Sequence, residues 1–271
     1  LGLTLQTEQI LGVKFHSRGL QQALSSIEAG GLVVVPAAPL LVEMAGDPCL
    51  LGAIQSADIA VTDSAFMVLL WQLRYQRRIR RVSGLRLLTA MLESSDLRVA
   101  EDALWIMPTQ QAADRAQAWF ESRGHRHDAS RYYVAPKYGG GSISDPELLR
   151  QIEAVQPKYV VVNIGGGVQE RLGANLRDNL SYRPAIVCTG AALAFLTGDQ
   201  IRIPSVVDRL YLGWLLRCVA NPYRFVPRYW RALQLVTLIL RFGERSPGTA
   251  DRHPVASKGD PDAALKYLPG K

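Results

Sequence analysis

Cysteine, histidine and long apolar runs are all scarce in this 271-residue chain. The three cysteines, Cys49, Cys188 and Cys218, are odd in number and far apart, which argues against a disulfide framework and for a reducing compartment. Their neighbours are apolar, so they read as core thiols. The four histidines offer little to a metal. His125-Arg126-His127-Asp128 has no cysteine nearby and no second cluster, and His16 and His253 lie far away, so the stretch reads as a surface loop and no metal site is evident. The longest uncharged runs, Ala29 to Val42 and Pro184 to Gly198, contain Gly and Pro and fall short of the roughly 20 residues that span a bilayer. Nothing near the start reads as a signal peptide, because the first positive charge is Lys14 and no long apolar run follows it. The expectation is a cytoplasmic or peripheral protein that needs no resident cofactor.

What is present suffices for a sizeable core. The chain is 48% hydrophobic and 20% charged, so disorder is expected only at the ends. The net charge of +7 is unevenly placed. Between Gln200 and Arg245 stand eight arginines (202, 209, 217, 224, 228, 231, 241 and 245), opposed only by Asp208 and Glu244. A single-sign field of this kind attracts phosphates, anionic lipid or nucleic acid. No recognised nucleic-acid motif accompanies it, and the arginines interleave with apolar residues at helical spacing.

Short apolar runs alternate with longer periodic segments. Strands are expected over Ile10–Phe15, Leu32–Val35, Ile59–Thr62, Ala103–Met107, Arg131–Ala135, Tyr159–Ile164 and Ala185–Cys188. Helices are expected over Gly19–Glu28, within Leu40–Ala57, and over Ala65–Tyr75, Leu85–Leu92, Gln110–Ser122, Pro146–Val155 and Gln169–Leu180. Asp145 beside Pro146 suits an N-cap. This alternation predicts an α/β fold, a Rossmann-like, mostly parallel sheet with helices on both faces. From Ser205 the pattern turns helical (Val206–Val219, Tyr223–Arg241). The domain expectation is therefore an α/β domain over 1–200, an Arg-rich helical appendage over 201–245 and a disordered tail over 246–271.

Ligands of such sheets sit beyond the carboxyl ends of the strands, which directs attention to Pro36–Pro39, Asp63–Ala65, Pro108 and Gly165–Gln169. Asp63 at a strand tip suits a general base, and equally a helix cap. Gly165-Gly166-Gly167-Val168-Gln169-Glu170 allows backbone N–H groups to approach an anion at a helix N-terminus, but also fits a plain tight turn. Arg81-Val82-Ser83-Gly84, after Arg74, Arg77, Arg78 and Arg80, fits an anion contact or a solvated face. Tyr229-Trp230-Arg231 leads into a short apolar helix closed by Arg241-Phe242. That pattern suits a helix lying in a membrane interface, or one packed on the main domain.

Taken in order, these pieces resemble the WecG/TagA/CpsF family, the family 26 glycosyltransferases, from about Ile10 to Arg245. The resemblance is carried by Asp63-Ser64, by Arg81-Val82-Ser83-Gly84, by Gly165 to Glu170 and by Gly198-Asp199-Gln200-Ile201-Arg202-Ile203-Pro204. It continues through Gly213-Trp214-Leu215-Leu216-Arg217, Asn221-Pro222-Tyr223-Arg224 and Arg228-Tyr229. What it implies is an inverting, metal-independent transfer of N-acetylmannosamine or another hexose. The donor is a UDP-sugar and the acceptor a polyprenyl-diphosphate-linked sugar at the inner face of the cytoplasmic membrane, in surface polysaccharide synthesis. On this mapping Asp63 is the base. Arg81, Ser83, Gly165, Gly166, Gln169, Glu170 and Arg202 contact substrate, and Arg217, Arg224 and Arg228 close over the donor diphosphate. Arginine suits that diphosphate through bidentate hydrogen bonds. The implied partners are the two substrates, the membrane surface and a second copy of the chain, with no nucleic acid.

The departures are specific. The family's Thr-x-Asn-Pro is Pro36-Ala37-Ala38-Pro39 here, the glycine after the base is Ser64, and the turn proline is Gly167. Arg86 and Gly213 replace acidic residues, and Leu193-Ala194 replaces a Phe-Asp. A site that loses several sugar-binding groups implies a different donor or acceptor. The alternative is a catalytically impaired relative that binds nucleotide, lipid or a partner protein.

Overall fold

A computed structural model of the chain describes residues 7–125, 128–198 and 222–249. The sheet is built from β1 (Thr7–Ile10), β2 (Val13–His16), β3 (Gly31–Val34), β4 (Ile59–Val61), β5 (Ala103–Met107), β6 (Tyr132–Val134), β7 (Tyr159–Val162) and β8 (Ala185–Cys188). Their order is β1-β2-β4-β3-β8-β7-β5-β6. Every pairing is parallel except that of β1 with β2. The expected mostly parallel α/β sheet is therefore present.

The stretch expected as one strand from Ile10 to Phe15 is instead a hairpin. Leu11 (φ 52°) and Gly12 (φ 78°) both take positive φ, the signature of a tight two-residue reversal. A leucine tolerates that conformation here because the C-terminal segment holds it. Leu11 N–H donates to the Gly243 carbonyl (2.8 Å) and Gly12 N–H to that of Glu244 (3.0 Å).

Residues of alternating parity along the strands bury into two layers, as a sheet covered on both faces requires. Leu32, Val34, Val160, Val162 and Ile186 face one core. That face is covered by α2 (Ala38–Glu43), α3 (Pro48–Gln55), α4 (Ala65–Tyr75), α8 (Pro146–Val155) and α9 (Val168–Asn179). Val33, Val161 and Val187 face the other, under α1 (Leu20–Ile27), α5 (Gly84–Glu93), α6 (Val99–Asp102), α7 (Gln110–Glu121) and α10 (Ala192–Thr197). The apolar stretch from Tyr223 to Arg241, expected as one helix, is two, α11 (Pro222–Ala232) and α12 (Gln234–Phe242), parted at Leu233. Ala232, Leu235 and Ile239 join the first core, α11 and α12 pack on α2, and α12 also touches α4. Just beyond, residues 247–249 form a 3-10 turn, and Ser246 Oγ accepts from Gln55 Nε2 at 2.8 Å. The rest of the expected tail lies outside the described residues.

The reversal from β7 into α9 is set by Gly167, whose φ of 87° suits glycine. Glu170, on the first turn of α9, reaches back to the start of the helix. Its Oε2 accepts from Gly167 N–H (2.6 Å) and its Oε1 from Gln169 Nε2 (2.8 Å). The residue is fully buried, and burial pushes its carboxyl above the usual range. Further along α9, Gly173 lets the helix lie close on β3 and β8. A Cβ there would stand 2.7 Å from Leu32 Cδ1 and 3.0 Å from Cys188 Sγ.

Two outcomes follow from this packing. Gly173→Ala should lose about 1–3 kcal/mol in denaturant unfolding, the usual cost of overpacking a tight core. Unchanged stability would mean that α9 sits further off the sheet. For Glu170, a raised folded-state pKa means stability that is full below the ordinary value of 4.5 and falls as pH rises toward the folded value. Glu170→Gln keeps one acceptor for two donors and should cost about 1–3 kcal/mol at acid pH. The gap to the parent should then narrow as pH rises. Melting both proteins across pH checks this, and a gap that widens with pH contradicts it.

Candidate active site

Asp63 directly follows β4 and Thr62, at the carboxyl end of the sheet, and is half-buried. Three backbone links fix the segment. Thr62 Oγ1 donates to the Arg80 carbonyl (2.7 Å), Val82 N–H donates to the Thr62 carbonyl (3.2 Å), and Arg81 Nε donates to the Asp63 carbonyl (2.8 Å). Gly84 N–H, at the first residue of α5, donates to Oδ1 of Asp63 at 2.9 Å. Asp63 thus does not cap the helix that follows it. Ser64 does that, accepting from Met67 N–H at 3.1 Å. The carboxylate is instead held by the N-terminus of the next helix.

The neighbouring strand tips converge on the same place. A Cβ on Gly84 would stand 3.2 Å from Val35 Cγ1 and 3.6 Å from the Thr189 carbonyl, so α5 starts against the ends of β3 and β8. Gly190 N–H donates to Gln169 Oε1 (2.8 Å), and Thr189 Oγ1 donates to Asn163 Oδ1 (3.2 Å). Gln169 Nε2 donates to Glu170. A continuous chain of contacts therefore joins Asp63, Gly84, the Thr189–Gly190 turn, Gln169 and Glu170. Gln169 and Glu170 are buried and their polar atoms meet other protein atoms, so they set the shape of the rim. Gly165 and Gly166 are exposed on it, and a Cβ on Gly165 would meet nothing within 4 Å.

Ser83 is buried and caps α5, accepting from Arg86 N–H at 3.3 Å. Arg81 is half-buried beside Asp63. Arg202 and Arg217 lie outside the described residues. Arg224 and Arg228 are on α11, and their side chains lie outside those described. Pro36 and Ala38 are buried where β3 leads into α2.

Three residues of this rim escaped the sequence reading. Asn163 and Thr189 are polar residues that end apolar strands, a visible signal. Arg171 is nine-tenths buried along its side chain. It ties the glycine turn (Gly167 carbonyl, 2.9 Å) to Asp47 (3.5 Å) and the Gly141 carbonyl (3.2 Å), and only the fold brings those groups together. Of the cysteines, Cys188 is a core thiol, whereas Cys49 is exposed in the first turn of α3, contrary to expectation, because its apolar neighbours turn inward and it does not. Cys218 lies outside the described residues. Among the described residues no three His, Cys, Asp or Glu side chains gather as metal ligands, and no helix is long and apolar enough to cross a membrane.

Comparison with known proteins gives this rim a lineage. Two curated bacterial proteins, both called N-acetylglucosaminyldiphosphoundecaprenol N-acetyl-beta-D-mannosaminyltransferase, are similar to the chain. One, from Bacillus spizizenii, is 23% identical over 242 residues, 84% of this chain and 91% of that protein. The other, from Bacillus subtilis, is 31% identical over 98 residues, which span 34% of this chain and 38% of that protein. A family model matches residues 8–247, and by that match the chain belongs to the glycosyl transferase WecG/TagA/CpsF family.

Proposed function

We propose that this protein moves a hexose, N-acetylmannosamine or a close relative, from a UDP-sugar to a polyprenyl-diphosphate-linked sugar, with inversion and without a metal. The family membership and the names of both relatives support the substrate classes. The observation that carries the mechanism is Asp63, a carboxylate held at a strand tip by Gly84 N–H in the rim where such folds bind ligands. Asp63 takes the proton of the acceptor hydroxyl as that oxygen attacks the anomeric carbon. UDP leaves from the opposite face. Its charge is met by arginines of the 200–245 segment, among them Arg202, Arg217, Arg224 and Arg228, and by the Gly165–Gly166 turn.

The reaction takes place at a membrane surface, at the inner face of the cytoplasmic membrane. Tyr223 (93% exposed) and Trp230 (74%) on α11, Leu240 on α12 and Leu73 (76%) on α4 present large apolar groups to solvent. The inner face of α12 meanwhile stays in the core. Aromatic and aliphatic groups beside arginines suit the interfacial layer of a bilayer. A second reading, a relative that binds without transferring, is favoured by the apolar Pro36–Ala38 segment where sugar-binding polar groups are expected. Calorimetry with UDP alongside transfer assays separates the two, since binding without turnover selects the second.

The purified protein, assayed with a panel of UDP-sugars and a polyprenyl-diphosphate-linked sugar, should transfer with at least one pair. Asp63→Asn should lose about 10²–10⁴-fold in kcat, and full activity in that variant would defeat the assignment of the base. Trp230→Ala with Tyr223→Ala should weaken binding to anionic vesicles by roughly tenfold while leaving the melting temperature in place. Vesicle flotation reads the effect, and parental binding would remove these helices from the membrane contact.

A further inference from the structure

The segment leaving β2 and the segment joining α4 to α5 face each other across a groove of about 540 Å³. Arg18, Arg80, Arg81 and Arg86 all line it, and among the described residues no carboxylate does. The groove also takes in Gly19, the N-cap of α1, with Leu20 and Gln21 of its first turn. That first turn carries no acidic residue and no side chain caps it. A Cβ on Gly19 would stand 3.4 Å from Arg80 Cδ, so the glycine makes room for the Arg80 stem. The walls are fixed rather than loose. Arg80 N–H donates to the Ser17 carbonyl (3.2 Å), and Thr62 Oγ1 holds the Arg80 carbonyl. A concavity lined by four arginines carries a positive potential that attracts an anion. Arginine forks match the oxygens of a phosphate ester in particular.

The position of the groove decides which phosphate it suits. Arg81 lines it and also donates to the main-chain carbonyl of Asp63, so the groove lies beside the segment that carries the proposed base. In an inverting displacement the base stands with the attacking oxygen and the leaving diphosphate departs from the far side of the anomeric carbon. An anion site on the Asp63 side therefore belongs to the acceptor. Resting on the transferase reading above, we propose that Arg18, Arg80, Arg81 and Arg86 form the subsite for the diphosphate of the lipid-linked acceptor. The acceptor sugar then extends from this subsite toward Asp63. Arg18, Arg80 and Arg86 are thus binding residues for the acceptor that the family resemblance does not single out.

The test uses the full chain and two probes, farnesyl-diphosphate-linked N-acetylglucosamine and UDP, each titrated by calorimetry. Arg80 and Arg86 are exposed, so Arg80→Ala with Arg86→Ala should fold normally, checked by thermal melting. The double variant should weaken the farnesyl probe by about tenfold or more while UDP affinity moves by less than about twofold. Arg80→Lys with Arg86→Lys should recover part of the loss, since charge is kept and the fork is not. Weakened UDP binding with an unchanged farnesyl probe would give the groove to the donor and overturn the proposal. So would equal affinity of parent and variant for the farnesyl probe, or no binding of that probe to the parent. The transfer assay stands apart: turnover with groove-independent probe binding sinks the subsite alone, whereas groove-dependent binding without turnover sinks the transferase reading and leaves the subsite.

Discussion

The parallel pairing of β3 with β8 is the constraint on which the rest depends. Gly31 to Val34 lie in register with Ala185 to Cys188. This joins the half of the sheet formed by β1 to β4 with the half formed by β5 to β8. Because the strands run the same way, the ends of β3, β4, β7 and β8 all open onto one rim. Buried polar groups at such a rim must find partners. They find each other, through Asn163 to Thr189, Gly190 to Gln169 and Gln169 to Glu170. The rim is stiff for that reason, and Asp63 is anchored to it through Gly84.

Much of this was legible in the sequence where local chemistry and tertiary need agree. β8 over Ala185–Cys188, α4 over Ala65–Tyr75 and α8 over Pro146–Val155 have the bounds that their patterns indicate. Asp145 caps α8 as its place before a proline suggests, accepting from Leu148 N–H at 3.0 Å. Where one of these signals was absent, the reading failed. Leu11 carries no mark of a left-handed residue, and the carbonyls of Gly243 and Glu244 that hold it are far away in sequence. The four-residue α6 and the six-residue α10 are too short to show a helical period.

The site was legible in its members and less so in their roles. A carboxylate after a strand and a glycine run before a helix are visible in one dimension. That Gln169 and Glu170 turn inward is not, because it depends on Gly190 arriving from β8 to donate its N–H to the Gln169 amide oxygen. The arginines near residue 80 read equally well as a solvated face, since the charge that gives them a purpose comes from Arg18, brought across by the β2–β4 pairing. The longest stretch dominated by one sign of charge is residues 200–245, whereas the four-arginine groove joins the arginines near residue 80 to Arg18, far away in sequence.

The chemistry of the rim also bears on selectivity. Where β3 enters α2 the chain offers Pro36, Ala37 and Ala38, which have no side-chain donor or acceptor. A site that hydrogen-bonds a sugar hydroxyl rejects analogues lacking it strongly, because its own polar groups would be left unpaired. Apolar groups in that place have no such veto. Phosphate contacts differ again: they hold any diphosphate ester alike, whatever sugar it carries, and so add affinity without choosing among sugars. On the transferase reading, a rim that exchanges hydroxyl recognition for guanidinium contacts keeps hold of its substrates through the part that does not vary between them. Discrimination then falls to the shape left between Asp63, the glycine turn and α2.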